Sequence, residues 1–73
     1  MAIVGPDGIP TESGSKLLLA IKAGFSTADD IARMSGLPSF VVVNGLREME
    51  RFHLVRRSGD GYELDDRGKD LLS

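Results

Sequence analysis

The sequence predicts an α+β fold in which a three-helix bundle is followed by a β-hairpin and a short C-terminal helix. Three observations carry this. Apolar residues recur at helical spacing in three stretches, each bracketed by capping or helix-ending residues. The tetrad Ser58-Gly59-Asp60-Gly61 is tight-turn chemistry between two short β-competent segments. Asp65 then stands where it can cap a last helix that ends in Leu71 and Leu72. With 73 residues the chain has room for one domain. At this size about 60% of the unfolded surface is buried, which leaves little depth for a substrate cavity.

Residues 1–12 read as an N-terminal arm, extended or disordered, ahead of a domain over residues 13–73. Within the arm, Gly5-Pro6-Asp7-Gly8 is a turn, because Pro presets φ, Asp bonds its own backbone and Gly tolerates positive φ. Its flanks, Ile3-Val4 and Ile9, could pair as short strands. The first helix is expected over residues 13–23, capped by Ser13 or Thr11 and ended by Gly24. Leu17, Leu18, Ala20 and Ile21 form its apolar stripe, with Leu18 and Ile21 toward the core and Lys16 and Lys22 in water.

The second helix is expected over residues 28–35. Ser26 and Thr27 precede Asp29 and Asp30 by three residues, close to a capping box, and both carboxylates suit a helix N-terminus. Ile31 and Ala32 are its buried pair and Gly36 its C-cap. Leu37 turns inward and Pro38 opens the third helix, expected over residues 39–52. Advancing about 100° per residue puts Val42, Leu46, Met49 and His53 in one buried stripe. Phe40, Asn44, Arg47 and Arg51 fall opposite, with Val41 and Val43 on the flanks. The hairpin follows, with residues 54–57 and 62–64 as its strands. The last helix runs to Leu72, with Leu71 and Leu72 packing back, and Gly68 weakens it by up to about 1 kcal/mol.

The net charge is −2, with nine Lys and Arg against eleven Asp and Glu, but it is unevenly spread. Residues 33–58 hold five Arg against two Glu, a net +3 between two acidic flanks. Several function classes fall away. There is no Cys, so disulfides, thiol chemistry and Cys-based zinc sites are excluded. His53 has no second His or Cys to form a metal site with. Ser58-Gly59-Asp60-Gly61 lacks the Lys and following helix of a phosphate loop. Asp65 and Asp66 are adjacent and diverge, so capping accounts for them better than acid–base chemistry. No nucleophile–base–orienter set is present, and neither an enzyme activity nor a cofactor is expected. No apolar run approaches the roughly 20 residues of a membrane span, and residues 1–10 do not read as a signal peptide. The expected location is cytoplasmic.

Helix, short turn, helix and then hairpin is the layout of a helix-turn-helix with a wing. Residues 13–72 resemble a winged-helix domain of bacterial or archaeal transcription regulators. The stretch from Ala28 to Pro38, with Ile31, Ala32, Gly36 and Leu37 at its landmarks, is similar to the segment before the recognition helix in isocitrate-lyase-regulator-type repressors. Val42, Leu46, Met49, Leu54 and Val55 match that family's core spacing. Gly61-Tyr62-Glu63-Leu64 and the following Asp65–Leu72 are similar to the wing exit and terminal helix of antibiotic-resistance-regulator (MarR-type) domains. Two positions depart from the pattern. The first turns of the recognition helix read Ser39, Phe40, Val41, Val43 and Asn44 instead of small polar and basic residues. His53 stands where a Gly commonly precedes the wing.

The resemblance implies a DNA-binding protein, a transcription regulator that works as a homodimer, with the third helix in the major groove and the hairpin on the backbone. The residues expected at double-stranded DNA are Ser39, Phe40, Asn44, Arg47 and Arg51 on the helix and Arg56 and Arg57 on the wing. Asn pairs with adenine, and Arg with guanine or phosphate. Of the two wing arginines, adjacent on a strand, only one can face DNA, and Arg57 is nearer the tip. The alternative is a winged-helix protein-interaction module without DNA binding, in line with the pI of about 5.2 and the apolar start of the third helix. Either a homodimer or a protein partner would use the Phe40/Val41/Val43 surface or the N-terminal arm, and a dimer could also form through the first helix.

Overall fold

Local capping chemistry sets the element boundaries in the computed structural model, which describes residues 2–73. Thr11 is extended, and its hydroxyl accepts from the Gly14 N–H at 3.3 Å. Helix α1 therefore spans Glu12–Lys22, with Thr11 and not Ser13 as its cap. Thr27 does the same for α2 (Ala28–Ser35), accepting from Asp30 N–H at 3.2 Å. Gly36, at φ 75°, ends α2 in the left-handed conformation that glycine adopts without a Cβ penalty. Helix α3 (Ser39–Arg51) starts after Pro38, and a two-stranded antiparallel hairpin follows, β1 (Val55–Ser58) with β2 (Gly61–Leu64). Helix α4 (Asp66–Leu72) closes the chain, capped by Asp65. The architecture is thus α+β, four helices and one hairpin.

The core lies where the helices meet the base of the hairpin. Leu17, Leu18, Ile31, Val42, Leu46, Met49, Leu54 and Val55 are essentially free of solvent. The strand register pairs Val55 with Leu64, Arg56 with Glu63, Arg57 with Tyr62 and Ser58 with Gly61. The hairpin is pinned to the α1–α2 loop by Tyr62 N–H donating to Ser26 O at 2.8 Å. Gly68, expected only as a weak point of its helix, is buried, and a Cβ there would run into the carbonyl of Leu54. Its missing side chain lets α4 lie directly on the chain entering β1.

Residues 2–11 fold back onto the helices, and Ile3 and Val4 join the core. Gly5 N–H bonds Ile9 O and Gly8 N–H bonds Gly5 O, both at 2.9 Å, and Val4 bridges Pro10, so the expected turn and its pairing flanks form. Ile3 is 1% exposed. It fills a space left by two glycines: a Cβ on Gly45 would sit 2.6 Å from Ile3 Cγ1, and one on Gly14 would meet the Ile3 carbonyl. Thr11 ties the arm to α1, its N–H donating to Ile3 O at 2.9 Å and its hydroxyl lying 2.8 Å from Ala2 O.

Three expectations need correction. His53 does not extend the buried stripe of α3; it is exposed, beyond the helix, at φ 60°. The helical period stops at the C-cap Phe52, where Leu54 N–H reaches back to Met49 O and His53 N–H to Glu50 O. That pair of bonds is a Schellman motif with His53 in the left-handed position. Val41 is buried, so the Phe40/Val41/Val43 surface reduces to Phe40 with a half-buried Val43. Leu71 is exposed, and only Leu72 packs against the core.

Candidate nucleic-acid interface

The outer face of α3 is determined by what its inner face buries. Val41, Val42, Gly45, Leu46 and Met49 point into the core, so positions 40, 44, 47 and 51 are turned to water. Phe40 is 70% exposed, and Asn44, Arg47 and Arg51 are exposed beside it. Neither Arg47 nor Arg51 forms an ion pair among the described residues. Asn44, Arg47 and Arg51 line one shallow depression with Glu48 and Phe52. Two guanidiniums and one amide thus share a surface with a single carboxylate.

Ser39 and Phe40 lie on the first turn of the same helix, outside that depression. Pro38 provides no side-chain acceptor for that turn; Val41 N–H turns back to Pro38 O at 3.0 Å, and the Ser39 and Phe40 N–H groups are left to water or to an anionic oxygen.

The two arginines of β1 have different surroundings. Arg56 Nε donates to Glu63 Oε1 at 2.8 Å, and its Nη1 lies 3.5 Å from Asp65 Oδ1. The hydrogen bond to Glu63, and then the charge of Glu63, raise the Arg56 guanidinium above its ordinary value. Arg56 is therefore already engaged with carboxylates. Arg57 has no ion pair among the described residues, and its guanidinium sits 5.3 Å from the centroid of the Tyr62 ring. A cation on a tyrosine face gains about 0.5–1 kcal/mol at an exposed site and keeps its donors free. The depression on α3 holds Asn44, Arg47 and Arg51 together; Arg56 and Arg57 stand apart from it, on the hairpin, with partners of their own.

Two features of the surface have no counterpart in the sequence reading. Arg67 of α4 donates from Nη1 to Phe52 O at 3.0 Å and from Nη2 to Gly8 O at 3.3 Å, joining the end of α3 to the arm. An isolated Arg on an exposed helix carries no signal for this. The second feature is an apolar patch on α1, α2 and the loop between them, where Leu19 is 53%, Met34 56% and Phe25 37% exposed. These are apolar positions left over once the core stripes are assigned.

Among the described residues no polar or charged side chain is buried, and no group of three or more His, Cys, Asp or Glu is placed to hold a metal ion. No described helix is long and apolar enough to cross a membrane. Polar chemistry is confined to the surface, and the α3 depression brings together two cations without ion pairs, Arg47 and Arg51. The chain matches no protein-family model, no curated protein and no solved structure.

Proposed function

We propose that this chain is a small winged helix-turn-helix domain that binds double-stranded DNA and serves as a transcription regulator. In this reading α3 enters the major groove and the β1–β2 hairpin is the wing. The observation that carries it is the row Asn44, Arg47 and Arg51, exposed and without ion pairs, on the helix that follows the Gly36–Pro38 turn. Asn44 offers an amide of the kind that pairs with adenine, and Arg47 and Arg51 offer forks for guanine or phosphate. Phe40 is positioned one turn earlier for a thymine methyl group. On the wing, Arg57 is the available phosphate ligand, because Arg56 is held by Glu63.

The test is fluorescence anisotropy of a labelled random-sequence duplex. Three phosphate contacts, from Arg47, Arg51 and Arg57, give a log–log salt slope of about −2.7. Affinity then falls roughly 40-fold between 50 and 200 mM salt. The double variant R47Q/R51Q removes most of that slope while leaving the fold intact, since neither side chain has an intramolecular partner. A folded protein that leaves the duplex unbound at low salt and high concentration refutes the reading.

A partner-binding module without DNA binding is the second reading. Its support is not at Phe40, Val41 and Val43, because Val41 is buried. It is the patch of Leu19, Phe25 and Met34 on α1, α2 and the loop between them.

A further inference from the structure

The outer end of α3 is gripped from outside the helix, and we infer that this grip places Arg51: Arg67 of α4, acting with the arm at Gly8, is a positioning residue of the α3 face. The inference rests on the duplex-binding reading of that face and adds to it a residue that does not touch the duplex.

Core burial fixes α3 as far as Met49, the last of its buried residues. Arg51 comes two residues later, exposed, in the last turn. Next to it is Phe52, half-buried and packed against the core, which lines the α3 depression together with Arg51. Phe52 is held from two sides. Arg67 Nη1 donates to its carbonyl at 3.0 Å, and Nη2 of the same fork donates to Gly8 O at 3.3 Å. Gly8 completes the junction. It is buried, at φ 80°, and a Cβ on it would lie 3.4 Å from the Phe52 ring and 3.5 Å from Arg67 Nη2. A planar guanidinium with fixed donor directions can hold two carbonyls at once, and an ammonium does not reproduce that fork.

The base of the clamp is itself anchored. Arg67 precedes Gly68, which lies against Leu54 O, and Asp65 N–H donates to the same carbonyl at 3.0 Å. Helix α4 is thus fixed to the chain just beyond Phe52. Asp66 and Asp70 share the helix with Arg67, and Asp7 lies in the arm, yet Arg67 forms no ion pair among the described residues. Its guanidinium is engaged by main-chain carbonyls. Helix ends fray when nothing outside holds them. Loosening the clamp therefore acts on the last turn, which carries Arg51. Arg47 sits one turn earlier, next to the buried Leu46, and is placed by the core.

A double-mutant cycle tests this, read by anisotropy of the labelled random-sequence duplex well below the melting temperature. Arg67→Lys keeps the charge and loses the fork, and should weaken binding about fivefold. In an Arg51→Gln background the same change should alter affinity by less than about 1.5-fold, because the side chain it positions is gone. Gly8→Ala leaves Arg67 in place and strains the arm at its positive φ; it should show the same loss, and the same silence without Arg51. Without DNA, Arg67→Lys should speed amide exchange about tenfold at His53 and Leu54, whose N–H groups bond Glu50 O and Met49 O, and leave Ile31 of α2 as in wild type. A wild-type chain that leaves the duplex unbound overturns the reading on which this role rests, and the role with it. Where wild type binds, an Arg67→Lys variant that binds equally well overturns the positioning alone. Equal losses with and without Arg51 also overturn it, since they mean direct contact with the duplex or a general loosening of the fold. Unchanged exchange at His53 and Leu54 overturns it without reference to DNA.

Discussion

Replacing His53 with glycine should stabilise this protein, although it deletes a side chain. His53 is at φ 60°, the C′ position of the Schellman motif that ends α3. A residue with a Cβ in that conformation costs about 1–2 kcal/mol. Glycine removes this cost but leaves a more flexible unfolded chain, which offsets about 0.5–1 kcal/mol. The His53 side chain is exposed and makes no hydrogen bond within the described structure, so its loss costs little. The motif's bonds are main-chain bonds, Leu54 N–H to Met49 O at 3.0 Å and His53 N–H to Glu50 O at 3.2 Å, and both survive. The net expectation for His53→Gly is a gain of about 0.5–1 kcal/mol. For a domain of this size that raises Tm by roughly 3–6 °C. Thermal unfolding followed by circular dichroism reads it directly, and a urea titration should show a higher midpoint at unchanged slope. His53→Ala keeps the Cβ and should fall well short of the glycine variant, and His53→Val should lower Tm. If the glycine variant melts below wild type, or alanine raises Tm as much as glycine, the backbone at residue 53 is not the source of strain.

Two further outcomes follow from the arm and the hairpin. Ile3→Ala should cost about 2–4 kcal/mol in urea unfolding, because Gly14 and Gly45 have no side chains to collapse into the space; a loss below about 1 kcal/mol would mean the arm lies outside the cooperative core. Arg57→Gln should weaken random-duplex binding and reduce the salt slope by about one, whereas Arg56→Gln should change both less, since Glu63 and Asp65 already hold it. The opposite ranking in anisotropy titrations would assign the wing contact to the wrong arginine.

Much of the fold was legible because its signals are local. Thr27 three residues before Asp30, and Gly36 after a short apolar period, mark both ends of α2 within one turn of the residues they cap. The outer face of α3 was equally legible, since Val42, Leu46 and Met49 leave only one direction for Asn44, Arg47 and Arg51. Ile3 was not legible. Its burial is decided by two glycines, 14 and 45, far apart in sequence and carrying no period of their own. His53 was misplaced by counting a helical period past the point where the backbone turns left-handed. The Arg56–Glu63 pair was within reach, since a turn closed by Ser58 and Gly61 already puts residues 56 and 63 opposite each other. The α1–α2 patch needed the core to be assigned first, because Leu19 and Met34 look like any other apolar residue until the buried positions are filled.

The arm also has a consequence for the order of events when the chain is made. Ile3 is synthesised before the glycine at 45 that receives it, which comes 42 residues later. The Arg67 guanidinium that holds Gly8 O is 59 residues downstream of it. Until that much chain exists, the arm has nowhere to dock, and an isoleucine and a valine remain uncovered. Closing so long a loop adds little to the equilibrium cost, because that cost rises only with the logarithm of length, but contacts of this separation form slowly. The helical hairpin can therefore assemble before the arm is seated, and the arm then docks into a space that residues far downstream of it have built.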